Sequence, residues 1–549
     1  MKTKEYPVGR SKLLPVFVAF LLLLFSVTSI AADHEWWTNV VFYEVFVRSF
    51  HDSDGDGIGD LRGLLERLDY LNDGDPATTD DLGVTALWLM PICESPSYHG
   101  YDVTNYYVIE PDYGTMEDFR ALLDAAHERG IRVIVDLVLN HTSSEHPWFR
   151  ASRGPESDYR DWYIWSNTLE TVLGPWGQRV WHFGGAGYYY GLFWSGMPDL
   201  NYRNPDVSIQ MFDVVRFWLD EVGVDGFRLD AIKHLVEEGK VQENTEATHE
   251  WLREFHQFYK GIDSSALTVA EIWDETSVVL TYYDEQVDLC FEFALADAML
   301  SSVNSGDPGA LEDAWSEVER LYPFQQYATF LTNHDQDRVM TQLDEDLDKA
   351  KLAATILLTS PGVPFIYYGE EIGMTGQKPD EQIRTPMQWT SDPSAGFTSG
   401  WPWERVNYDY KMKNVEAQLA DSNSLLNHYR ELIHLRAEYA ALRIGTKTTV
   451  QSSAPKVYAY LRHSESENIL VILNLSNKAI SDYQLALLPS DIPPGTCSPR
   501  NLLGDTEIPR FTVDARGGFS GYHPISLLEP RTGYVVLLRS DSTNGGTEN

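Results

Sequence analysis

Two residues of opposite charge, Arg228 and Asp230, stand two positions apart in the apolar stretch 226–230. The stretch suits a buried parallel strand, in which successive side chains alternate between two sides. Arg228 and Asp230 therefore face one side together, and Phe227 and Leu229 face the other. A neighbouring guanidinium keeps a carboxylate ionised and oriented, as an enzymatic nucleophile requires. For these two residues alone, a purely structural ion pair at a strand end is the alternative interpretation.

Further carboxylates follow two later apolar runs. Glu271 lies among apolar neighbours, which favour a raised pKa and so allow proton donation. Asp335 follows His334 and could supply a third charge that stabilises an oxocarbenium-like transition state. Two carboxyl groups flanking a glycosidic bond are the minimum for glycoside hydrolysis, one as nucleophile or base and one as acid. In this scheme Asp230, beside Arg228, is predicted to be a nucleophile with a low pKa.

The elements that must position these residues alternate short apolar runs with helical patterns from about residue 37 to residue 445. This alternation is typical of repeated βα units that form a parallel sheet. The predicted strands are 40–47, 86–90, 133–139, 226–230, 267–272, 289–293, 328–333 and 364–368, and the last helix is 424–439. Such a series predicts an α/β fold, a (β/α)8 TIM barrel with its active site at the carboxyl ends of the strands.

Two further domains are predicted beside the barrel, which would comprise residues 32–141 and 206–445. Segment 142–205 is far longer than an ordinary βα loop and is rich in Trp, Tyr and Gly, which indicates an excursion domain over the barrel mouth after strand 3. Residues 446–539 contain short alternating runs typical of a C-terminal antiparallel β-sandwich domain. The tail 540–549 has no apolar residue and is predicted to be disordered.

The first 31 residues read as a secretory signal peptide. Basic residues precede an apolar run from Leu13 to Ile30, and Ala31 and Ala32 offer a cleavage point. The alternative is an uncleaved anchor, since the apolar run could just span a bilayer. Cleavage predicts a secreted or periplasmic protein that has no contact with the membrane afterwards.

Composition narrows the classes of partner. The chain has 549 residues and a formal net charge of −40. This charge argues against nucleic acid or an anionic membrane as a binding partner, but it does not repel a neutral substrate. The acidic surface suggests solubility in a salty medium, where self-repulsion is screened. Only three cysteines occur, Cys93, Cys290 and Cys497, far apart and without metal-ligand spacing, so disulfides do not organise the fold. We expect a monomer.

Four stretches resemble, in order and spacing, the four sequence regions of the alpha-amylase family, glycoside hydrolase family 13: 136–141, 226–234, 270–274 and 330–335. The resemblance implies that Asp230 is the nucleophile, Glu271 the general acid/base and Asp335 the transition-state stabiliser. It implies retention of anomeric configuration, with the first two carboxyls roughly 5 to 5.5 Å apart. The residues that would line the subsite of the reacting sugar are Tyr101, Asp102, His141, Arg228 and His334.

The subfamily motifs are mixed. Segments 197–201 and 384–389 resemble the oligo-1,6-glucosidase and alpha-glucosidase branch, whereas Lys233 and His234 resemble true alpha-amylases, where the pair contacts sugar on the leaving-group side. Exo-acting relatives carry an Asp where Tyr98 stands and use it to clamp the non-reducing end. The mixture is similar to the intermediary group of secreted alpha-amylases.

This resemblance predicts an endo-acting alpha-amylase that cleaves alpha-1,4-glucans and maltooligosaccharides. The alternatives are an exo-acting alpha-glucosidase or transglycosylase on short oligosaccharides and, more remotely, a non-catalytic membrane-anchored relative. Relatives of the last kind lose catalytic carboxylates that this chain keeps.

A calcium loop is predicted at residues 52–60, where aspartates alternate with glycines that allow a tight turn. Carboxylate and carbonyl oxygens suit Ca²⁺. Family relatives have a calcium loop here, with ligands that match Asp52, Asp54, Asp56, the Ile58 carbonyl and Asp60. The alternative is a solvated acidic turn.

The resemblance also implies a possible second Ca²⁺ site between the barrel and the excursion domain, with Asn140, Asp199 and the His234 carbonyl as its ligands. Without it, Asn140 and Asp199 would be hydrogen-bonding residues that fix the loops.

Aromatic side chains are candidates for stacking on sugar rings. Tyr101 is a candidate by motif. Those in the excursion domain are candidates only by location, with packing inside that domain as the alternative; they are Trp181, Tyr188, Tyr189, Tyr190 and Trp194.

Overall fold

A computed structural model describes residues 35–490 and 492–540. The predicted signal peptide and all but the first residue of the predicted tail lie outside these residues. Within them, no helix combines the length and apolar character needed to cross a bilayer.

The first sheet of the described chain is an eight-stranded parallel barrel. Its strands are β1 (Phe42–Val45), β2 (Ala86–Leu89), β3 (Arg132–Val138), β4 (Gly226–Asp230), β5 (Leu267–Ala270), β6 (Leu289–Cys290), β7 (Ala328–Thr329) and β8 (Val363–Tyr367). They follow the order β6-β5-β4-β3-β2-β1-β8-β7, and a parallel bridge between Phe291 and Ala328 joins the two ends. The predicted TIM barrel is confirmed.

Period-two alternation decides which side chains fill the barrel interior. On β5, Leu267 and Val269 join the interior cluster around Trp88, whereas Ala270 packs outward under the helices. On β4, Phe227 and Leu229 point outward, which leaves Arg228 and Asp230 inside, as the alternation predicts.

The described chain has sixteen α-helices, most of which cover the outside of the barrel. They are α1 (Val47–Phe50), α2 (Leu61–Glu66), α3 (Leu68–Leu71), α4 (Met116–Glu128), α5 (Pro147–Ser152), α6 (Pro205–Arg216), α7 (Glu246–Ile262), α8 (Thr276–Val279), α9 (Phe293–Ser305), α10 (Gly309–Leu321), α11 (Val339–Gln342), α12 (Leu347–Thr359), α13 (Asp380–Ile383), α14 (Val415–Leu419), α15 (Leu425–Glu438) and α16 (Ala440–Ile444). A π-helical segment, Phe217–Val222, continues α6.

The connection between β3 and β4 contains a small antiparallel sheet of Trp165–Ser166, Tyr188–Tyr190 and Trp181–Phe183. It returns beside the end of β3, where the Leu200 N–H donates to the Asn140 carbonyl (2.9 Å) and His141 forms an antiparallel bridge with Asp199. These contacts hold the excursion against the carboxyl end of the barrel.

The C-terminal strands form an eight-stranded antiparallel sheet within the described chain, ordered β14-β13-β16-β11-β10-β9-β12-β15. They are β9 (Thr446–Ser452), β10 (Val457–His463), β11 (Asn468–Asn474), β12 (Leu485–Leu487), β13 (Gly495–Asn501), β14 (Phe511–Val513), β15 (Phe519–Tyr522) and β16 (Thr532–Ser540). Alternate residues of β10 serve two cores: Tyr458 and Tyr460 pack with the barrel helices, and Ala459 and Leu461 pack inside the C-terminal domain.

Five barrel strands are shorter than predicted: β1 covers 42–45 instead of 40–47, β2 covers 86–89 instead of 86–90, and β5, β6 and β7 also end early. The sheet leaves β5 at Ala270, β6 at Cys290 and β7 at Thr329, although the apolar runs continue. After β6 the chain starts helix α9 at Phe293, and after β7 the Asn333 side chain accepts the Asp335 N–H (2.9 Å). Apolar character persists because these residues remain buried, while local turns replace sheet pairing.

Candidate active site

Arg228 is the centre of the carboxylate cluster at the end of β4. Its side chain is fully buried, and Nη1 donates to Asp136 (3.0 Å) and Asp230 (2.7 Å), while Nη2 donates to Glu271 (2.6 Å). The Ala231 N–H also donates to the same Glu271 oxygen (3.2 Å). One guanidinium therefore fixes three carboxylates from three adjacent strands.

Asp136 is a site residue that the sequence reasoning did not single out. Besides Arg228, its carboxylate accepts hydrogen bonds from the Tyr101 hydroxyl (3.1 Å) and the Trp88 indole (3.3 Å). It is buried below the pocket, so it supports the site from underneath. The strand-end position of Asp136 was the available signal.

His334 is held between two carboxylates. Its Nδ1 lies 2.5 Å from Glu44, its Nε2 lies 3.2 Å from Asp335, and the Tyr101 hydroxyl lies 2.6 Å from the same Nε2. Burial alone would lower the pKa of His334, but Asp335 and Glu44 outweigh it and raise the pKa to about 9. The ring is therefore an imidazolium at neutral pH, and Glu44 is a second site residue that the sequence reasoning missed.

The three predicted catalytic carboxyls differ in pKa. Burial raises the pKa of Asp230 to about 6 against the opposing effect of Arg228, and burial likewise raises the pKa of Glu271. Burial would also raise the pKa of Asp335, but His334 and Arg384 hold it well below its usual range. The low pKa predicted for Asp230 is wrong, because burial and the nearby charge of Asp136 raise the pKa more than Arg228 lowers it.

Asp335 is paired with Arg384, which donates to it from Nη2 (2.8 Å) and to Asp380 from the same nitrogen (3.3 Å). The Arg384 Nε–H donates to the His334 carbonyl (3.0 Å), so the segment after β8 is anchored to the end of β7. The sequence reasoning used Arg384 only as part of a subfamily motif. Its place in the site depends on the folding of a distant loop.

These groups open into a pocket of about 660 Å³. Its lining includes the predicted Tyr101, His141, Asp230, Lys233, His234, Glu271 and Asp335. It also includes residues that were not predicted as site residues: His99, Trp176, Phe193, Met197, Ala231, Trp273, Asp380 and Arg384. Arg228 and His334 do not line the pocket themselves. They lie beneath it, where Arg228 contacts Asp230 and His334 contacts Asp335.

Asp102 was predicted to line the subsite of the reacting sugar. Its side chain is buried and does not belong to the pocket lining. Its carboxylate accepts hydrogen bonds from the Ser95 hydroxyl (2.8 Å) and from the Ser97 hydroxyl. It thereby fixes the loop that carries Tyr101. The His141 Nε2 lies 3.1 Å from the Tyr101 carbonyl, and burial lowers the pKa of His141 to about 3, so this imidazole is neutral.

The aromatic candidates divide between two pockets. Trp194 lines the catalytic pocket. Trp181 and Tyr190 line a separate pocket of about 800 Å³ behind the excursion sheet. Tyr188 and Tyr189 pair with other strands of that sheet. The fold also adds Trp176, which packs against Phe193 and His234 and which no motif had marked.

Lys233 and His234 stand at the other side of the pocket. The Lys233 ammonium donates to the Trp273 carbonyl (3.0 Å) and to Asp274 (3.2 Å), and it pairs with Glu243 (3.1 Å). The His234 Nδ1 lies 2.9 Å from the Gln242 carbonyl. These contacts fix both side chains beside the mouth.

The acidic loop 52–60 brings three carboxylates together. One oxygen from each of Asp52, Asp54 and Asp60 lies within 4.8 Å of the others. Asp56 instead accepts the Ile58 N–H (2.8 Å) through Oδ1, and Asp60 caps helix α2 by accepting the Gly63 N–H (2.8 Å). An all-oxygen donor set of this kind fits a hard cation such as Ca²⁺.

Two of the three predicted ligands of the second metal site, Asn140 and Asp199, lie together. Asp199 is buried, accepts the Leu192 N–H (3.0 Å) through Oδ1 and interacts with the Asn140 side chain, while its Oδ2 has no hydrogen-bond partner. Burial raises the pKa of Asp199 to about 7. The nearby Glu237 has a buried Oε1 without a partner, and burial and Asp199 raise its pKa well above the usual range. This oxygen-rich set fits a hard cation as well.

The barrel and its clustered carboxylates define a glycoside hydrolase of the carboxylate-pair type. Residues 44–445 match the family model described as "Alpha amylase, catalytic domain". The chain is 44% identical over 464 residues to "Alpha-amylase 3" of Dictyoglomus thermophilum, covering 83% of this chain and 89% of that protein. The oligo-1,6-glucosidase of Parageobacillus thermoglucosidasius is 34% identical over 532 residues, covering 81% and 91%.

Among solved structures, the alpha-amylase from H. orenii superposes with a TM-score of 0.79 at 43% identity, covering 91% of this chain and all of that one. The chain belongs to the alpha-amylase family, glycoside hydrolase family 13, and resembles its intermediary group.

Proposed function

We propose that this protein is a secreted, retaining, endo-acting alpha-amylase that cleaves internal alpha-1,4-glucosidic bonds of starch and maltooligosaccharides. The assignment as a glycoside hydrolase rests on one observation. The Arg228 guanidinium holds Asp230 and Glu271 beside one open pocket, and Asp335 also lines that pocket. Two carboxyls in one pocket are the minimum for this chemistry.

In the first step, the Asp230 carboxylate attacks the anomeric carbon while the Glu271 carboxylic acid donates its proton to the glycosidic oxygen. The bond to the leaving sugar breaks, and a covalent glycosyl ester with Asp230 forms. Glu271 can hold that proton because burial raises its pKa. Asp335, whose pKa is held low, remains negative and stabilises the positive charge that develops on the sugar.

In the second step, Glu271, now a carboxylate, removes a proton from water, and the water oxygen attacks the anomeric carbon. The ester bond breaks, Asp230 leaves as a carboxylate, and two inversions give overall retention. Arg228 stabilises Asp230 as the leaving group because its guanidinium stays paired with that carboxylate.

The endo-acting mode rests on the glycone end of the pocket. Arg384 pairs with Asp335 and Asp380, and Tyr98 stands where exo-acting relatives carry a clamping Asp. Tyr98 supplies no carboxylate to bind a terminal sugar. A glucan chain can therefore continue past this point.

A product time course on soluble starch and on a maltoheptaoside blocked at its non-reducing end tests this mode. We expect rapid cleavage of both into mixed short maltooligosaccharides. Cleavage of unblocked short substrates alone, with glucose from the start, would instead support the exo-acting alpha-glucosidase or transglycosylase, an alternative favoured by the similarity to the oligo-1,6-glucosidase.

We further propose that Asp52, Asp54 and Asp60 bind Ca²⁺, with Asp56 and the Ile58 carbonyl completing the loop's oxygen set. A bound dication would offset the repulsion among these carboxylates and tie the loop together. Exhaustive chelation followed by elemental analysis and thermal unfolding tests this. Recovery of Ca²⁺ in the native protein and a lowered Tm after its removal are expected; unchanged Tm and no bound calcium would contradict the proposal.

A second Ca²⁺ is proposed at Asn140, Asp199 and the His234 carbonyl, because the Oδ2 of Asp199 is buried without a partner. Elemental analysis of Asp199→Asn should give one ion fewer than the unchanged protein. Equal calcium content in both would leave Asn140 and Asp199 as loop-fixing residues.

We also propose that segment 1–31 is removed during secretion. The mature chain is proposed to be a monomer. Intact mass and light scattering of the exported protein check both. A full-length protein in the membrane fraction would favour the anchored alternative.

A further inference from the structure

Asp335 is held at both oxygens of its carboxylate. Arg384 donates from Nη2 to Oδ1 (2.8 Å), and the Nε2 of His334 lies 3.2 Å from Oδ2. The Asp335 side chain is nevertheless 31% exposed and lines the catalytic pocket. Two cations therefore fix a carboxylate that can still reach the reacting sugar.

The two cations are held by different means. Arg384 is anchored by its Nε–H, which donates to the His334 carbonyl (3.0 Å). The His334 ring packs against two aromatic rings: it stacks on Tyr101 (centroids 5.6 Å apart, 15° between planes) and meets Trp88 edge-on (5.5 Å, 76°). This packing fixes the plane of the imidazole. It does not choose between two orientations related by a half-turn about the Cβ–Cγ bond, because both fill nearly the same space.

Glu44 supplies the contact that makes this choice. Its carboxylate lies 2.5 Å from Nδ1 of His334, across the ring from Asp335, and its side chain is 2% exposed. A half-turn of the ring would put carbons in place of both nitrogens, so both carboxylates would lose their contact. Strand β1 keeps Glu44 in place, because this residue pairs with Tyr367 of β8 and with Trp88 of β2.

Glu44 also affects the charge of the ring. Burial opposes a charged imidazole, but Asp335 and Glu44 raise the pKa of His334 to about 9. The Tyr101 hydroxyl lies 2.6 Å from Nε2 and stays neutral, because burial raises its pKa well above the usual range. Other charged groups face this part of the site from the ends of β3, β4 and β5 and from the segment after β8; they are Asp136, Arg228, Glu271 and Arg384. An imidazole with a carboxylate at each nitrogen donates one N–H to each of them.

We propose that Glu44 is a positioning residue for the reaction: it selects the orientation and the doubly protonated form of His334, and through this ring it fixes Asp335 for the transition state. The inference rests on the proposed function, because Asp335 acts only when a sugar is bound. It adds to that function a buried strand residue that does not line the pocket. The three side chains form a line that leads from β1 to the pocket.

Glu44→Gln tests the proposal, since it removes the charge and keeps the size of the side chain. His334 should then lose its second proton near the ordinary range of histidine, about pH 6.5. We expect kcat on maltoheptaose to fall about tenfold at neutral pH and KM to change less than about twofold, because Glu44 does not touch the substrate. The ratio of variant to wild-type kcat/KM should fall as the pH rises from about 6 to about 8. A ratio that does not depend on pH would contradict the proposal.

Glu292→Gln is the matched control. Glu292 is also a buried glutamate near a strand end (1% exposed), and its carboxylate accepts hydrogen bonds from the Thr276 hydroxyl (2.9 Å) and from the Tyr322 hydroxyl. It does not line the catalytic pocket. This variant should keep the wild-type kcat and the wild-type pH profile. Equal activity losses in Glu44→Gln and Glu292→Gln would mean that Glu44 serves only the stability of the barrel, and would overturn the proposal.

Glu44→Asp separates the charge of the side chain from its reach. The shorter carboxylate still favours a charged His334 but no longer contacts Nδ1 closely. We expect a lowered kcat together with a ratio to wild type that stays constant between about pH 6 and about pH 8. A ratio that falls as steeply as in Glu44→Gln would show that the charge of Glu44 does not control His334, and would overturn the proposal.

Nitrogen-15 NMR of the histidine rings examines the wild-type protein directly, so it does not depend on whether the Glu44 variants fold. The chain has 15 histidines, and His334→Gln identifies the His334 signals by their loss. Both ring nitrogens of His334 should stay protonated from about pH 6 to about pH 8, whereas one of them should lose its proton over this range in Glu44→Gln. A wild-type His334 that is uncharged at neutral pH would overturn the proposal.

Failure of the proposed function would look different. If the wild-type protein cleaves no alpha-glucan, then the proposed function fails, and the NMR titration still decides whether Glu44 orients and charges His334. If the protein cleaves starch but its His334 is uncharged at neutral pH, then only the positioning role of Glu44 is wrong.

Discussion

Buried arginines serve opposite purposes at the catalytic site and at the junction with the C-terminal domain. Arg228 is surrounded by carboxylates, and although burial alone would lower its pKa, Asp136 and Glu271 raise it well above the usual range. Arg436 donates instead to the carbonyls of Leu358, Ser360 and Gly362, and burial lowers its pKa to about 9.

Arg462 on β10 repeats the second pattern, donating to the Thr359 and Gly445 carbonyls, with burial lowering its pKa to about 10. The carbonyls of Leu358, Thr359 and Ser360 lie at the end of α12, where helical C=O groups lack intrahelical partners. The difference teaches that a buried guanidinium can either hold reacting carboxylates in place or donate hydrogen bonds to the free carbonyls of a helix end. Only its partners reveal which.

Removing the catalytic charge should have the largest effect. Asp230→Asn keeps the side-chain shape but leaves no nucleophile, so kcat on maltoheptaose should fall by at least about 10³-fold. The Tm should stay close to that of the wild type. A variant with normal turnover would refute the assignment of Asp230 as nucleophile.

Arg228→Lys tests whether the fork shape of the guanidinium matters. A lysine ammonium cannot bind Asp230 and Glu271 from two fixed nitrogens, so both carboxyls lose their alignment. We expect kcat to fall about 10²-fold, the scale of a small misplacement of reacting groups. Arg436→Lys, measured beside it, should keep normal kcat; comparable activity losses in both variants would remove the distinction between the two sites.

Arg436→Met should affect stability rather than catalysis. The substitution leaves three buried carbonyls at the barrel junction without their donors, which should lower the free energy of unfolding by about 2–4 kcal/mol. Urea unfolding measures this, and kcat should stay within about twofold of the wild type because the junction does not touch the pocket. A stability equal to that of the wild type would show that water replaces the guanidinium.

The pH profile gives a graded effect, because activity should change continuously with the protonation of the catalytic carboxyls. Asp230 must be ionised to attack, and its pKa is about 6, so kcat/KM should decline about tenfold per pH unit below that value. At high pH, activity should fall again as Glu271 loses the proton that it must donate. An acid limb centred near the ordinary pKa of an exposed Asp would mean that Arg228 outweighs burial at Asp230.

Local sequence patterns were sufficient for much of the barrel. Period-two alternation in 226–230 correctly placed Arg228 and Asp230 on one side, and that strand was predicted with its observed bounds. Strands β5, β6 and β7 were predicted too long, because apolar composition reports burial and does not show where sheet pairing ends.

The sequence by itself determined that carboxylates follow several strand ends, and a parallel barrel brings such ends to one face. Only the tertiary structure decided which of them touch. Glu44 meets His334 across 290 positions of chain, and Arg384 reaches Asp335 from a loop after β8. The tertiary structure also decided the order of the pKa values, because burial raises the pKa of Asp230, whereas His334 and Arg384 lower that of Asp335. Electrostatic interactions depend on distance and burial, and residues far apart in the chain acquire both only when the barrel closes.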